Sequence, residues 1–316
     1  MTGTRTSPAS YALVMALLLV GSGCVGSSRL HEDSLSTQSL PEMESSDEVF
    51  NVSNGSKDFG NRYASVVLVA IGGVPECSGV IIHPRLVLTA GHCVCRGRED
   101  QNTITLDSSA CEKTATAIAV AYDASTGRPN FRRYTGTVRP HRGFRAVLKK
   151  KRLSVPAAVG SQGNQSDAGT PYVVVNTVSE SKADLALILL DSAAEGLFPP
   201  VPLARTHPTA HAPVVVVGYG ADAVENGLAA FNDEQPTRRF GKNFIAQPGD
   251  ERFMIEPPGS LALPGDSGGP CFREQPEGLS LVGINSRSAP GKRATFTSTY
   301  HYLDWLDAEI RRTNQM

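Results

Sequence analysis

From Val52 onward the chain is a succession of short apolar runs set between turn residues. The runs are Val66–Ile71, Val80–Ile82, Leu86–Thr89, Ala117–Tyr122, Tyr172–Val175, Leu185–Leu190, Val214–Val217 and Leu281–Ile284. Most are four to eight residues long and rich in β-branched side chains, which favours strands over helices. Gly, Pro, Asn and Asp fill the gaps, and the 30 Gly and 21 Pro of the chain suit a turn-rich β protein. Only the end departs from this texture: Leu303, Leu306 and Ile310 recur at helical spacing. The pattern predicts an all-β sandwich or barrel with one C-terminal α-helix. No internal sequence repeat is visible. The polar stretch 149–181 reads as a long surface loop, and its Lys149-Lys150-Lys151-Arg152 run as a solvated part of that loop.

Thirty basic against thirty-one acidic side chains leave a formal charge of −1, with 40% apolar residues. That balance excludes a disordered chain and a strongly basic nucleic-acid binder.

The first 51 residues read as an address rather than a fold. Arg5 precedes an unbroken apolar run from Tyr11 to Val20, and Gly21, Ser22 and Gly23 follow. A basic start, a short apolar middle and a small-residue end describe an export signal over 1–23, too short for a permanent membrane span. Cys24 comes next, and this junction resembles the lipobox of bacterial lipoproteins, whose cysteine is diacylated. Gly21 stands where that family usually has Leu. The resemblance implies an exported protein, either an outer-membrane or cell-surface lipoprotein or a secreted one. Residues 24–51, rich in Ser and acidic side chains, look like a linker or propeptide.

Three motifs carry chemistry. Thr89-Ala90-Gly91-His92-Cys93 ends a strand-like run, Asp184-Leu185-Ala186-Leu187 opens another, and Gly265-Asp266-Ser267-Gly268-Gly269-Pro270 is a glycine-rich turn. Singly, each has a structural explanation: a satisfied histidine, a turn-capping Asp, a serine in a tight turn. Together and in this order they resemble the chymotrypsin/trypsin-like serine peptidases, from about Val52 to the C-terminal helix.

The resemblance implies two Greek-key antiparallel β-barrels, at about 52–195 and 196–300, within a peptidase domain of 52–316. It implies a His92–Asp184–Ser267 triad. Ser267 would attack the substrate carbonyl, His92 would take and return the proton, and Asp184 would orient the imidazole. The backbone N–H groups of Gly265 and Ser267 would form the oxyanion hole. No metal or organic cofactor is needed. The expected partner is a protein or peptide substrate, not nucleic acid, with an activating protease as a further candidate.

Carried across residue by residue, the family pattern places Leu261 at the base of the primary pocket, with Ser286 and Ala294 along it. Ser286 would be the backbone-binding serine, followed by Arg287 where an aromatic is usual. Leu261 cannot pair with Arg or Lys, so cleavage after basic residues is not expected. Val52, in Val52-Ser53-Asn54-Gly55, resembles the family's new N-terminus, whose ammonium pairs with Asp266. The preceding Asn51 is not a trypsin site, and Val49 is a second candidate.

Cys77 and Cys93 resemble the family's disulfide beside the catalytic histidine. Five cysteines remain when Cys24 is set aside, so at least one is unpaired. Proximity suggests Cys95 with Cys111, leaving Cys271 as a buried thiol. His92-Cys93-Val94-Cys95 also offers metal-binding side chains, without a recognisable set of four ligands. Two other functions remain open on the same fold: a catalytically silent binding module and an esterase.

Overall fold

The computed structural model describes residues 55–154, 172–221, 223–225, 228–230, 235–289 and 291–316. The export signal, Cys24, the 24–51 linker and Val52 lie outside the described residues. In chain order the strands are β1 Ser56–Lys57, β2 Val66–Ile71, β3 Val74–His83, β4 Leu86–Thr89, β5 Cys95–Asp100, β6 Thr103–Cys111, β7 Thr114–Tyr122, β8 Pro129–Pro140, β9 Arg145–Ser154, β10 Tyr172–Lys182 and β11 Ala186–Leu190. They continue with β12 Pro213–Gly218, β13 Ala223–Glu225, β14 Leu228–Ala230, β15 Arg239–Gln247, β16 Arg252–Ile255, β17 Pro270–Gln275, β18 Gly278–Ala289 and β19 Arg293–Ser298, before helix α1 Leu303–Asn314.

Six strands close the first barrel in the order β11-β4-β3-β2-β7-β8. Six more close the second, β15-β12-β17-β18-β19-β16, through the β15–β16 pairing, with β1 added alongside β15. The two barrels share one connectivity. In each, numbering its own strands from one to six, the pairs are 1–2, 2–3, 1–4, 4–5, 5–6 and 6–3. The molecule is therefore a topological repeat with no matching sequence repeat.

Alternation along the strands explains the unbroken apolar runs. Val67 and Val69 of β2 face the interior of the first barrel, while Val66, Leu68 and Ala70 face a core shared between the barrels. Val214 and Val216 of β12 likewise fill the second barrel, and Val215 and Val217 join the shared core. With both faces buried, a strand has no reason to alternate with polar residues. The shared core also takes Leu306 of α1, with Leu303, Trp305 and Ile310 packed against it, as the helical spacing predicts.

One sequence expectation is overturned. Residues 149–181 do not form a long loop: β9 and β10 pair antiparallel on either side of 155–171, and join β5 and β6 in a four-stranded sheet ordered β10-β9-β6-β5. The basic run sits in β9, where Lys149 pairs with Thr103 across the sheet and Lys150 forms an ion pair with Glu99. Backbone ladders hold this sheet, so its strands carry charged side chains that hide them from an apolar-run search.

A buried ionic cluster ties the N-terminal segment to both barrels. Arg238, wholly buried, donates to Asp58 Oδ2 (2.7 Å), the Val120 carbonyl (2.7 Å) and the Tyr219 hydroxyl (3.0 Å). Asp58 also accepts the N–H groups of Arg62 and Tyr63, both at 2.9 Å. No helix among the described residues is long and apolar enough to cross a membrane.

Candidate active site

β4 ends at Thr89 and leads into a single 3-10 turn, Gly91–Cys93, that carries His92. A disulfide from Cys93 to Cys77 of β3 pins that turn, with Cα atoms 6.0 Å apart. Asp184 lies two residues before the start of β11. Its neighbour Ala183 adopts a left-handed φ of 47°, and Glu251 accepts the Ala183 N–H at 2.9 Å. A residue held in that region needs support from its surroundings, and Glu251 supplies it.

His92 and Asp184, both from the first barrel, meet beside Ser286 of the second. The imidazole Nδ1–H donates to Asp184 Oδ2 (2.8 Å), and the His92 backbone N–H donates to Oδ1 (3.0 Å). Ser286, in β18, donates its hydroxyl to the same Oδ2 at 2.6 Å. Burial by itself disfavours a charged His92, but the Asp184 charge and hydrogen bond outweigh it and raise the imidazole above its ordinary value. Burial by itself would raise Asp184, but the His92 charge and the hydrogen bonds from His92 and Ser286 hold it below its ordinary value.

Ser267 lies in the turn before β17. Gly265 and Gly268 take φ values of 95° and 77°, which L side chains rarely adopt. A Cβ on Gly268 would collide with Thr89 Oγ1 and the Ser78 carbonyl, so this glycine lets the turn lie against the strand end that leads to His92. The Ser78 N–H donates to the Ser267 carbonyl at 2.8 Å. The Ser78 hydroxyl donates to the Gly265 carbonyl and accepts the Tyr219 N–H, each at 3.0 Å. One fully buried residue of the first barrel thus fastens the turn of the second.

The orientation of the turn's N–H groups follows from its carbonyls. Ala221 N–H donates to the Pro264 carbonyl at 2.9 Å, so the trans peptide directs the Gly265 N–H to the opposite side. Among the described residues, the N–H groups of Gly265 and Ser267 donate to no protein acceptor, whereas those of Asp266, Gly268 and Gly269 are all bonded. The Ser267 hydroxyl is partly exposed and is not hydrogen-bonded to His92 Nε2, whose contact is Cys93 Sγ at 3.9 Å. Such bonds are often long before substrate binds.

Comparison with known proteins accords with this geometry. Residues 77–284 match the model of the trypsin-like peptidase domain, a span that includes His92, Asp184 and Ser267. The chain belongs to the trypsin-like peptidase family. Among solved structures, it is similar to a mutant of human heparin binding protein, at 19% identity over 80% of this chain and 94% of that one, with a TM-score of 0.49. It is also similar to neuropsin, a serine protease expressed in the limbic system of mouse brain, at 18% identity over 81% of this chain and 98% of that one, TM-score 0.48. No curated protein matches the chain.

In this trypsin-like peptidase domain, Asp266 is buried beneath the turn. Burial pushes its carboxyl up to about 6, opposed by the N–H groups of Leu263 (2.8 Å) and Gly220 (2.7 Å) and by the charge of Arg239. β1 pairs Ser56 with Phe240 and Lys57 with Arg239, so Ser56 and Lys57 run along β15. Leu261 and Ala294 are buried, with Ala294 paired to Ser288 across β18 and β19. Ser286 occupies a bulge between Asn285 and Arg287, which turns its hydroxyl to Asp184.

Cys95 and Cys111 are also bridged, and Cys271 is a free, buried thiol whose pKa burial pushes up. Cys93 and Cys95 are thus both in disulfides, which removes the thiolates a metal at His92-Cys93-Val94-Cys95 would need. The nearest cluster of candidate donors, Cys77, His92 and Cys93, contains that first disulfide. Sequence reading missed Ser78 and the Ser286–Asp184 bond. Neither has a local sequence signal, because each partner lies about a hundred residues or more away.

Proposed function

We propose that this protein is a serine endopeptidase that hydrolyses peptide bonds through an acyl-enzyme. Ser267 attacks the carbonyl carbon as its proton passes to His92 Nε2. Asp184 keeps Nδ1 protonated and stabilises the imidazolium. The carbonyl oxygen becomes an oxyanion between the N–H groups of Gly265 and Ser267. His92 then protonates the leaving amine, and water, deprotonated by the same imidazole, releases the acyl group.

The observation that carries this reading is the pair of N–H groups without a protein acceptor beside a preformed His92–Asp184 couple. Donors without a protein acceptor in a fastened turn are poised for developing negative charge. With Leu261 as the pocket base, the enzyme prefers a small or apolar substrate side chain to Arg or Lys. Two disulfides fit an oxidising compartment and so an exported chain, with 1–23 as signal, Cys24 as lipid attachment point and 24–51 as linker or propeptide. Cleavage before Val52 would free an ammonium for Asp266.

The missing Ser267–His92 hydrogen bond favours one other reading, a silent binding module. Hydrolysis of a mixed peptide library separates the two. The endopeptidase cleaves internal bonds and loses this activity in Ser267→Ala and His92→Ala. A wild type that leaves the library intact, or variants that retain full activity, would overturn the proposal.

A further inference from the structure

Three arginines share one face of the second barrel beside the Asp184–His92 couple. Residues directly opposite each other on paired strands lie on the same face. Arg252 is opposite Thr297, Arg287 opposite Thr295 and Arg293 opposite Ala289, and residues 293, 295 and 297 of β19 share a face. The neighbouring Ala294 and Phe296 point the other way, into the barrel core. The arginine face is turned toward the end of β10: Arg252 donates to the Ser181 carbonyl at 2.8 Å, and the Ser181 hydroxyl lies 3.4 Å from that of Ser286.

Among the described residues none of the three arginines forms an ion pair, and Arg287 Nε is buried with no hydrogen-bond partner. Thr297 Oγ1, on the same face, is also buried and unpartnered. The nearby acids are already engaged. Asp184 holds His92 and Ser286, and Glu251 accepts from the Ala183 N–H and the Tyr302 hydroxyl. Burial, together with the like charges of Arg252 and Arg293, lowers the pKa of Arg287, with Asp184 opposing. Gathering unpaired guanidinium groups in a partly dry place is unfavourable unless an anion completes it.

We infer that Arg252, Arg287 and Arg293 form a carboxylate-binding subsite, and that the enzyme selects peptides carrying Asp or Glu on the N-terminal side of the scissile bond. Arg287 follows Ser286 directly, so a substrate strand laid along the bulge of β18 passes the guanidinium before it reaches Ser267. A planar guanidinium takes a carboxylate through two parallel N–H···O bonds, which Lys or a neutral donor cannot reproduce. The primary pocket over Leu261 takes an apolar side chain, so the two preferences act at different substrate positions. This inference rests on the endopeptidase reading.

The test uses the mature protein and one apolar peptide with Glu, Gln or Lys placed in turn at each of four positions before the cleaved bond. Fluorophosphonate labelling of the wild type reports separately on whether Ser267 is active. At one position, Glu should exceed Gln in kcat/KM by about tenfold or more, chiefly through KM, as expected for a charge-assisted hydrogen bond. High salt should shrink that advantage. Arg287→Glu should invert the order of Glu and Lys, and Arg293→Gln should reduce the Glu advantage should the reversal variant misfold. A labelled wild type that cleaves the Gln peptide yet gains nothing from Glu at any position overturns the subsite alone. A Glu advantage unchanged in Arg287→Glu and Arg293→Gln does the same. A wild type that neither labels nor cleaves overturns the endopeptidase reading and the subsite with it.

Discussion

Replacing Ser78 with Ala removes one oxygen atom from a site that no substrate need touch. In the folded protein that oxygen donates to the Gly265 carbonyl and accepts the Tyr219 N–H, both at 3.0 Å, and the residue is fully buried. Its loss leaves a carbonyl and an N–H unsatisfied, each worth about 1–3 kcal/mol, so the destabilisation is about 2–6 kcal/mol, least if water fills the gap. The effect on rate has a different origin. In the proposed mechanism Gly265 supplies one oxyanion donor, and losing such a donor costs about 2.7–4 kcal/mol, or roughly 10²–10³ in kcat. Loosening the turn at the Gly265 carbonyl lets the adjoining donor peptide drift and forfeits part of that, so kcat should fall about 10–100-fold with KM nearly unchanged. Steady-state hydrolysis of a peptide substrate, with urea unfolding alongside, measures both quantities. Ser78→Thr keeps a hydroxyl and should recover most of the rate. A Ser78→Ala protein that folds and retains kcat within about twofold of wild type would refute the reasoning.

The pH profile of kcat/KM should rise along a limb centred above the ordinary histidine value of about 6.5, because Asp184 raises His92 and the base must be neutral. Asp184→Asn should lower kcat by roughly 10⁴ while keeping the backbone in place, since the imidazole takes the wrong tautomer; a loss below tenfold in stopped assays would contradict the couple. Asp266 is raised to about 6, so its stabilising contribution is full below about pH 4 and is lost as pH rises through 6, roughly 3 kcal/mol by neutrality. A chain cut before Val52 should escape that loss, because the ammonium favours the ionised carboxyl; identical pH dependence of urea midpoints in cut and uncut chains would argue against the pairing. Arg238→Met should lower the unfolding free energy by about 3–5 kcal/mol, because buried Asp58 loses its cation, and adding Asp58→Asn should recover part of the loss.

How much of this was legible in the sequence varies with the kind of interaction. Runs such as Val66–Ile71 and Val214–Val217 announce strands because both faces are buried, and Leu303, Leu306 and Ile310 mark α1 because one helical stripe meets the shared core. The motifs around His92, Asp184 and Ser267 are visible because tight turns and special side chains leave local signatures. Thr103–Cys111 and Arg145–Ser154 hide because their backbone ladders carry them while polar residues such as Ser109, Arg145 and Lys149 are exposed and break up the apolar pattern. Ser78 and Ser286 hide for another reason: a serine hydroxyl becomes structural only when folding brings its partner from a distant segment. The repeated barrel connectivity leaves no sequence trace because pairing order constrains only which positions are buried.

The central claim is that Ser267 is an activated nucleophile. Intact-mass measurement after exposure of the mature protein to a fluorophosphonate tests it most directly, with Ser267→Ala treated in parallel. One adduct on the wild type and none on the variant is the expected result. A wild type whose chain begins at Val52 and still gains no adduct, or a Ser267→Ala protein that gains one, would contradict the account.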